Sequence, residues 1–364
     1  GSNFNTAIGA YSLTSNTGAR NTAVGRDSLL SNTTGQGSTA VGYNCLDAAT
    51  TANYNTAVGD SSMSSTTSGG QNTAMGQASL FTNTTGVRNV SIGYDSLLSN
   101  TTGSDNVAVG HSSLDACTTG GDLTAVGVGA LSGNTTASFN CAFGYYALRE
   151  NTTGAVNDAF GYYALNANTT GASNVAMGSR SLQFCTTGTL NNAFGRDSLR
   201  DLTTGYQNTA LGNQAAHNMT TGHSNTAVGH QSLQTCSTGT HNVTIGPFSL
   251  NVLTSGAYNI GLGLNAGADV TTGEKNILIG VNAGRSTSPA GSVSTSDNIL
   301  CLGDNDVASF FCADTSISSS DSRDKTDVES FNIGLAWVNA LRPVTYRWDR
   351  RTWYGTDSEP YGTP

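Results

Sequence analysis

An apolar residue, a glycine, three variable or small residues and then a leucine form a short pattern that returns at a fixed spacing along most of the chain. The glycine stands at 9, 25, 42, 59, 76, 93, 110, 127, 144, 161, 178, 195, 212, 229, 246, 263 and 280; after a first interval of 16, every interval is 17. The residue before it is always apolar, as at Val24, Val58, Met75, Ile92, Phe143, Phe160, Phe194, Leu211 and Ile279. The residue four after it is usually leucine, as at Leu29, Leu97, Leu148 and Leu250. Two apolar positions in segments of four or five residues cannot make a helical stripe, but they suit short strands with one or two side chains turned inward. The pattern therefore predicts two short strands per 17-residue coil, stacked into one continuous parallel β-solenoid. A second glycine, in Thr-Thr-Gly, and the first are expected at the corners, where positive φ is needed.

Alternation along the strand places the residue two before the first glycine on the face opposite the apolar one. That position is alanine in most coils, among them Ala23, Ala40, Ala125 and Ala159. Its constancy predicts a close approach by another backbone, with a second copy of the chain as the natural candidate and a narrow interior as the alternative. Stacking also sets like over like. The motif's first asparagines, at 21, 55, 72, 106, 140, 174, 208 and 225, should form an amide ladder. Thr33–Thr34 and Thr152–Thr153 belong to expected outer polar ladders. Coils about 4.8 Å apart make the repeat a rod of roughly 80 Å.

Composition then limits the functions open to such a rod. Of 364 residues 45 are glycine and only 11% are charged, and the net charge is −9. A chain with two lysines and no basic patch has little with which to neutralise phosphates, so nucleic acid is not an expected partner. No apolar run reaches the roughly 18 residues of a bilayer span, and membrane insertion is not expected. The chain opens on Gly1 without a signal-peptide pattern and reads as a fragment or a processed product. Cys117, Cys185 and Cys236 fall at one phase of the repeat, three or four coils apart, beyond disulfide reach. They read as small buried side chains sharing a column with Asn32, Asn83, Asn100, Leu202, Met219 and Leu253.

Candidate chemistry in the repeats is sparse, and no cofactor is expected. Glycan cleavage needs paired carboxylates, whereas Asp27, Asp95 and Asp197 sit on scattered coils and read as solvated charges. The five histidines are far apart in sequence, although His217, His223, His230 and His241 fall on neighbouring coils; no metal site is assigned. Tyr145, Tyr146, Tyr162 and Tyr163 recur on two adjacent coils, as aromatic filling of a solvent face or as a surface for sugar rings. Ice binding is disfavoured, because adjacent threonines point to opposite sides of a strand.

The character of the chain changes after Gly280. Residues 285–319 read as a linker with neck strands: a Ser/Thr-rich stretch, then Asn298–Gly303 as one more coil or neck strand, then Phe310 and Phe311. In 320–364, Ile333, Leu335, Trp337, Val338 and Leu341 suit a short helix ending before Pro343, and Val344, Tyr346 and Trp348 alternate as a strand. The expected organisation is thus a solenoid over 1–284, a linker over 285–319 and a short α+β segment over 320–364.

Two resemblances attach to these residues. The N-T-A-V-G-x-x-S-L repeats, over about residues 5–284, resemble the β-roll heads of trimeric autotransporter adhesins and repeats in phage tail-fibre shafts; this implies a homotrimer. Ser320, Asp321, Arg323, Lys325, Leu341, Arg342, Pro343, Val344, Tyr346 and Trp348 resemble the opening of the intramolecular chaperone domain of endosialidases and other phage tail spikes. Asp324 departs from that pattern, where an apolar residue is usual, and the chain stops short of a complete domain of this kind. The second resemblance implies a chaperone that assembles the trimer and then cuts itself free, with Ser320 as nucleophile and Lys325 as base. A lysine shorn of water loses its proton more readily and can serve that role. Together they imply a virion tail fibre or tail spike whose partners are its own copies, other tail proteins and a host-surface glycan or protein. A bacterial surface adhesin with a β-roll head is the alternative.

Overall fold

The computed structural model describes residues 4–309. They form a single parallel sheet of eighteen three-residue strands, from β1 (Thr6–Ile8) and β2 (Thr22–Val24) to β17 (Ile277–Ile279) and β18 (Leu300–Leu302). Each strand pairs with the next in the chain, in register, so that Thr22, Ala23 and Val24 lie beside Thr39, Ala40 and Val41. The all-β parallel solenoid is therefore as the period predicts. The last step is longer: 23 residues separate Ile277 from its partner Leu300, yet β18 still adds to the same sheet. The segments expected beyond it, with Phe310, Phe311 and the helix and strand of 320–364, lie outside the described residues.

Each coil has one strand, not two. The segment after the first glycine, where a second strand was expected, turns instead, because φ is positive at alternate residues: 60° at Asp27 and 50° at Leu29, 54° at Tyr146 and 53° at Leu148. A pleated strand has no place for such residues. The turning segments are nevertheless hydrogen-bonded from coil to coil. The Leu29 amide N–H donates to the Cys45 carbonyl at 3.0 Å, and that of Ser31 to the Asp47 carbonyl at 2.9 Å. The stack is thus laddered around its circumference, which satisfies backbone groups that burial would otherwise leave unpaired.

The interior inverts one expectation. The alanine column lies inside, with Ala23, Ala40, Ala125 and Ala159 fully buried within a single chain. The apolar residue before the glycine points outward instead. Leucine explains the inversion: Leu29, Leu97, Leu148 and Leu250 fill the space between the strand and the turning wall and are buried. At the one alanine position held by glycine, Gly261, an added Cβ would meet Ser249 Oγ and Leu250 Cγ at 2.5 and 3.1 Å. A wall facing leucine so closely takes small side chains, and where it carries a large one, Leu278, the leucine position of that coil is Gly284. Serine completes this layer: the hydroxyl of Ser28 donates to the Ala40 carbonyl at 3.1 Å, and that of Ser198 to the Ala210 carbonyl at 3.2 Å.

Asparagine lines another wall, as expected. The Asn72 backbone N–H donates to Asn55 Oδ1 at 2.9 Å, and the Asn72 side-chain amide donates to the Gly86 carbonyl at 3.0 Å. Further along, the side-chain amide of Asn174 donates directly to Asn157 Oδ1 at 3.1 Å. The threonine ladder runs through the backbone: Thr33 Oγ1 donates to the Thr50 carbonyl and Thr152 Oγ1 to the Thr169 carbonyl, both at 2.9 Å. Of the two glycines, only the first is set by φ, at 139° for Gly178. The second, as at Gly103, is set by space, because a Cβ there would meet the Gly120 carbonyl oxygen at 2.3 Å.

Candidate functional surfaces

A single narrow core leaves the outward side chains as the candidates for function. Strand residues alternate in and out, so the first and third residue of every strand face outward and repeat at each rung. The third is apolar in all eighteen strands, from Ile8 through Val126, Phe143 and Phe160 to Ile279 and Leu302. Many are well exposed: Met75 at 45%, Leu211 at 50% and Ile245 at 48%. The neighbouring outward positions are not held this way. The first strand residue varies through Thr22, Cys141, Asp158 and Asn192, and the residue after the glycine through Arg26, Asp60, His111 and Arg196.

The four tyrosines singled out in the sequence do come together. Tyr145 and Tyr162 are stacked with ring centroids 5.6 Å apart, Tyr146 and Tyr163 meet edge to face at 5.5 Å, and Arg149 lies over the Tyr146 ring at 4.5 Å. Phe143 and Phe160 stack beside them at 5.1 Å. Tyr145 and Tyr162 lie on each other through their faces, so the column presents mainly ring edges to solvent, the geometry of an aromatic ladder between coils.

Of the four neighbouring-coil histidines only His223 and His241 meet. His223 stacks on Tyr206 at 4.5 Å and His241 on Tyr258 at 4.9 Å, with the two imidazoles edge to face at 5.3 Å. His230 meets Phe248, while His217 lies 3.3 Å from Arg200. Among the described residues no group of three or more His, Cys, Asp or Glu side chains is placed to hold a metal ion. No described helix is long and apolar enough to cross a membrane.

The carboxylates expected to be solvated are not all so. Asp197 is nearly buried and its carboxylate meets the Arg180 guanidinium at 2.9 Å across one coil. Asp27 pairs with Arg26 at 3.1 Å. On an exposed corner Arg88 holds Asp105 through two bonds of 2.6 Å, and this arginine keeps the Asp105 carboxyl below its ordinary range. These are single carboxylates matched to arginines; Arg180–Asp197 and Arg88–Asp105 tie neighbouring coils together, whereas Arg26–Asp27 joins adjacent residues of one coil.

The cysteines are as the repeat suggests. Cys45, Cys117, Cys185 and Cys236 are free and buried. Burial pushes the thiols of Cys45, Cys185 and Cys236 up to about 12, so they stay protonated and unreactive.

Sequence reasoning missed the outward apolar stripe. Its signal was present, since a position that stays apolar while its neighbours vary is constrained from outside as well as from inside. Ser320 and Lys325 lie outside the described residues. No curated protein matches the chain. Residues 320–361, after the solenoid in sequence, match the Peptidase S74 family, the chaperone of endosialidase.

Proposed function

We propose that this chain is the shaft of a homotrimeric tail-fibre or tail-spike protein of a bacteriophage, which carries the virion's contact with the host surface. The observation that supports this most is the order of parts: a continuous parallel β-solenoid followed by a region matching the chaperone of endosialidase. A solenoid of this kind is all nearest-neighbour contact, and any coil can pair wrongly with an equivalent one. A chaperone fused after the last coil sets the register of the copies before the shaft closes.

The chemistry assigned to that region is a single self-cleavage. Ser320 Oγ attacks the carbonyl of the peptide bond before it while Lys325, as a neutral amine, takes the hydroxyl proton and passes it to the leaving nitrogen; the C–N bond breaks, and water then hydrolyses the resulting ester to a carboxylic acid and the free Ser320 hydroxyl. The shaft itself is a spacer and a presenting surface, with its partners a host glycan or protein and other tail components.

Sedimentation equilibrium and electron microscopy of the chain test this reading. It expects a rod of three copies, with three times the 37.2 kDa chain mass where Ser320→Ala keeps the chain whole and correspondingly less where the chain is cut. A particle of single-chain mass contradicts it.

A further inference from the structure

We infer that copies of this chain meet side by side, parallel and in register, along the outward apolar stripe made by the third residue of every strand. The inference rests on the fibre reading above and names the surface through which the copies associate.

Three observations carry it. First, the stripe is unbroken: Val24, Val41, Val58, Met75, Ile92, Val109 and Val126 continue through Phe143 to Ile279 without one polar residue. The outward positions on either side accept Asp158, Asn192, Arg26 and Asp60. Solvent alone would not keep the central column apolar while its flanks drift. Second, the stripe is large. Eighteen such side chains expose on the order of 1,000 Å², above the few hundred that a soluble monomer usually leaves as one patch and comparable with one side of a specific interface.

Third, the stripe is one residue wide and repeats at the rung spacing along its whole length. A globular partner would match a few rungs, whereas another copy of this solenoid matches all of them with the same period. Closed symmetry about an axis along the rod brings each residue against its own equivalents. The bulky stretch Phe143, Phe160, Met177 and Phe194 then lies level in every copy, and the valine stretches likewise. The alanine column cannot serve this role, because it is already buried inside one chain.

Cross-linking in the full chain tests the stripe. Val58→Cys and Val228→Cys are made singly in a Cys141→Ser, Cys312→Ser background, because Cys141 is partly exposed beside the stripe and Cys312 lies outside the described residues. Gln71→Cys, on an exposed corner, is the control. With a short bismaleimide, Val58→Cys and Val228→Cys should each give cross-linked pairs of doubled mass, and Gln71→Cys should give none. When the two stripe variants are co-expressed, pairs should form only between like positions. Sedimentation on the same samples separates the two readings. A threefold mass without stripe cross-links overturns the stripe and leaves the fibre reading standing. Single-chain mass overturns both. Cross-links between position 58 and position 228 overturn the parallel register.

Discussion

The side-chain amide of Asn151 donates to Oδ1 of Asn134 at 2.9 Å, one coil earlier, and Asn168 repeats the bond to Asn151 at 2.8 Å. The ladder is directional, so the last asparagine of each run has an oxygen with no donor above it. Asn32, Asn100 and Asn168 are those residues, and each has a buried, unpaired Oδ1. The next coil at this phase carries Ala49, Cys117 and Cys185, none of which supplies an amide. Cys117 stands between the run ending at Asn100 and the one beginning at Asn134. Cys117→Asn should therefore join two runs: the new amide donates to Asn100 Oδ1, and its oxygen accepts from the Asn134 amide. An added net hydrogen bond is worth about 1 kcal/mol, so the variant should melt higher than the parent in a thermal scan. An equal or lower melting temperature would count against the directional ladder.

The two glycine columns differ in what they demand. At Gly178 both φ and space exclude a side chain, since an added Cβ would lie 2.5 Å from the Gly195 carbonyl oxygen. Gly178→Ala should cost about 3 kcal/mol or more. Gly103 belongs to the column in which the chain itself carries Ala52 and Ala137. Gly103→Ala should cost less, about 1–2 kcal/mol, because the backbone must still yield to the Gly120 carbonyl but φ is one that any residue adopts, as at Ala52 and Ala137. Denaturant titration of the two variants gives the comparison, and equal losses would refute the distinction.

Leu148 is fully buried between Leu131 and Leu165, with the alanine wall facing it. Leu148→Ala removes the one large apolar side chain its coil contributes to the interior. It should cost about 2–5 kcal/mol, because the laddered backbone on both sides cannot collapse into the cavity. Equilibrium unfolding measures this, and a loss below 1 kcal/mol would place the core elsewhere.

The buried thiols make stability fall on the alkaline side. Burial raises the Cys185 and Cys236 thiols from 9.0 to about 12. A thiol whose pKa is higher in the folded chain contributes stability below its unfolded value. That contribution declines as pH rises from about 9 and is gone above about 12. Iodoacetamide at pH 9 should leave Cys45, Cys185 and Cys236 unmodified in the native protein and label them after denaturation. Native labelling at these positions would show that the interior is open.

The period, the parallel stack, the asparagine ladder and the inert cysteines were legible in the sequence, because stacking sets equivalent residues over one another and 17-residue intervals say which they are. Which face of the strand is interior was not. Alternation distinguishes Ala23 from Val24 but does not say which points inward. The decision comes from the opposite wall, where Leu29 takes the space and leaves room for a small side chain. The single strand per coil was hidden as well, because residues such as Leu29 and Asp27 do not advertise positive φ as glycine does. The near-burial of Asp197 depends on Arg180 one coil earlier, a pairing visible only after the stack is built. Ser320 and Lys325 lie outside the described residues, and the chemistry proposed for them rests on the surrounding motif alone, since a serine five residues before a lysine is commonplace.

The most direct measurement is the intact mass of the full-length gene product, wild type beside Ser320→Ala. A shaft served by a self-cleaving chaperone predicts that wild type is cut next to Ser320 while Ser320→Ala stays whole. If both proteins remain whole, or both are cut alike, the assignment of Ser320 and Lys325 to self-cleavage is contradicted.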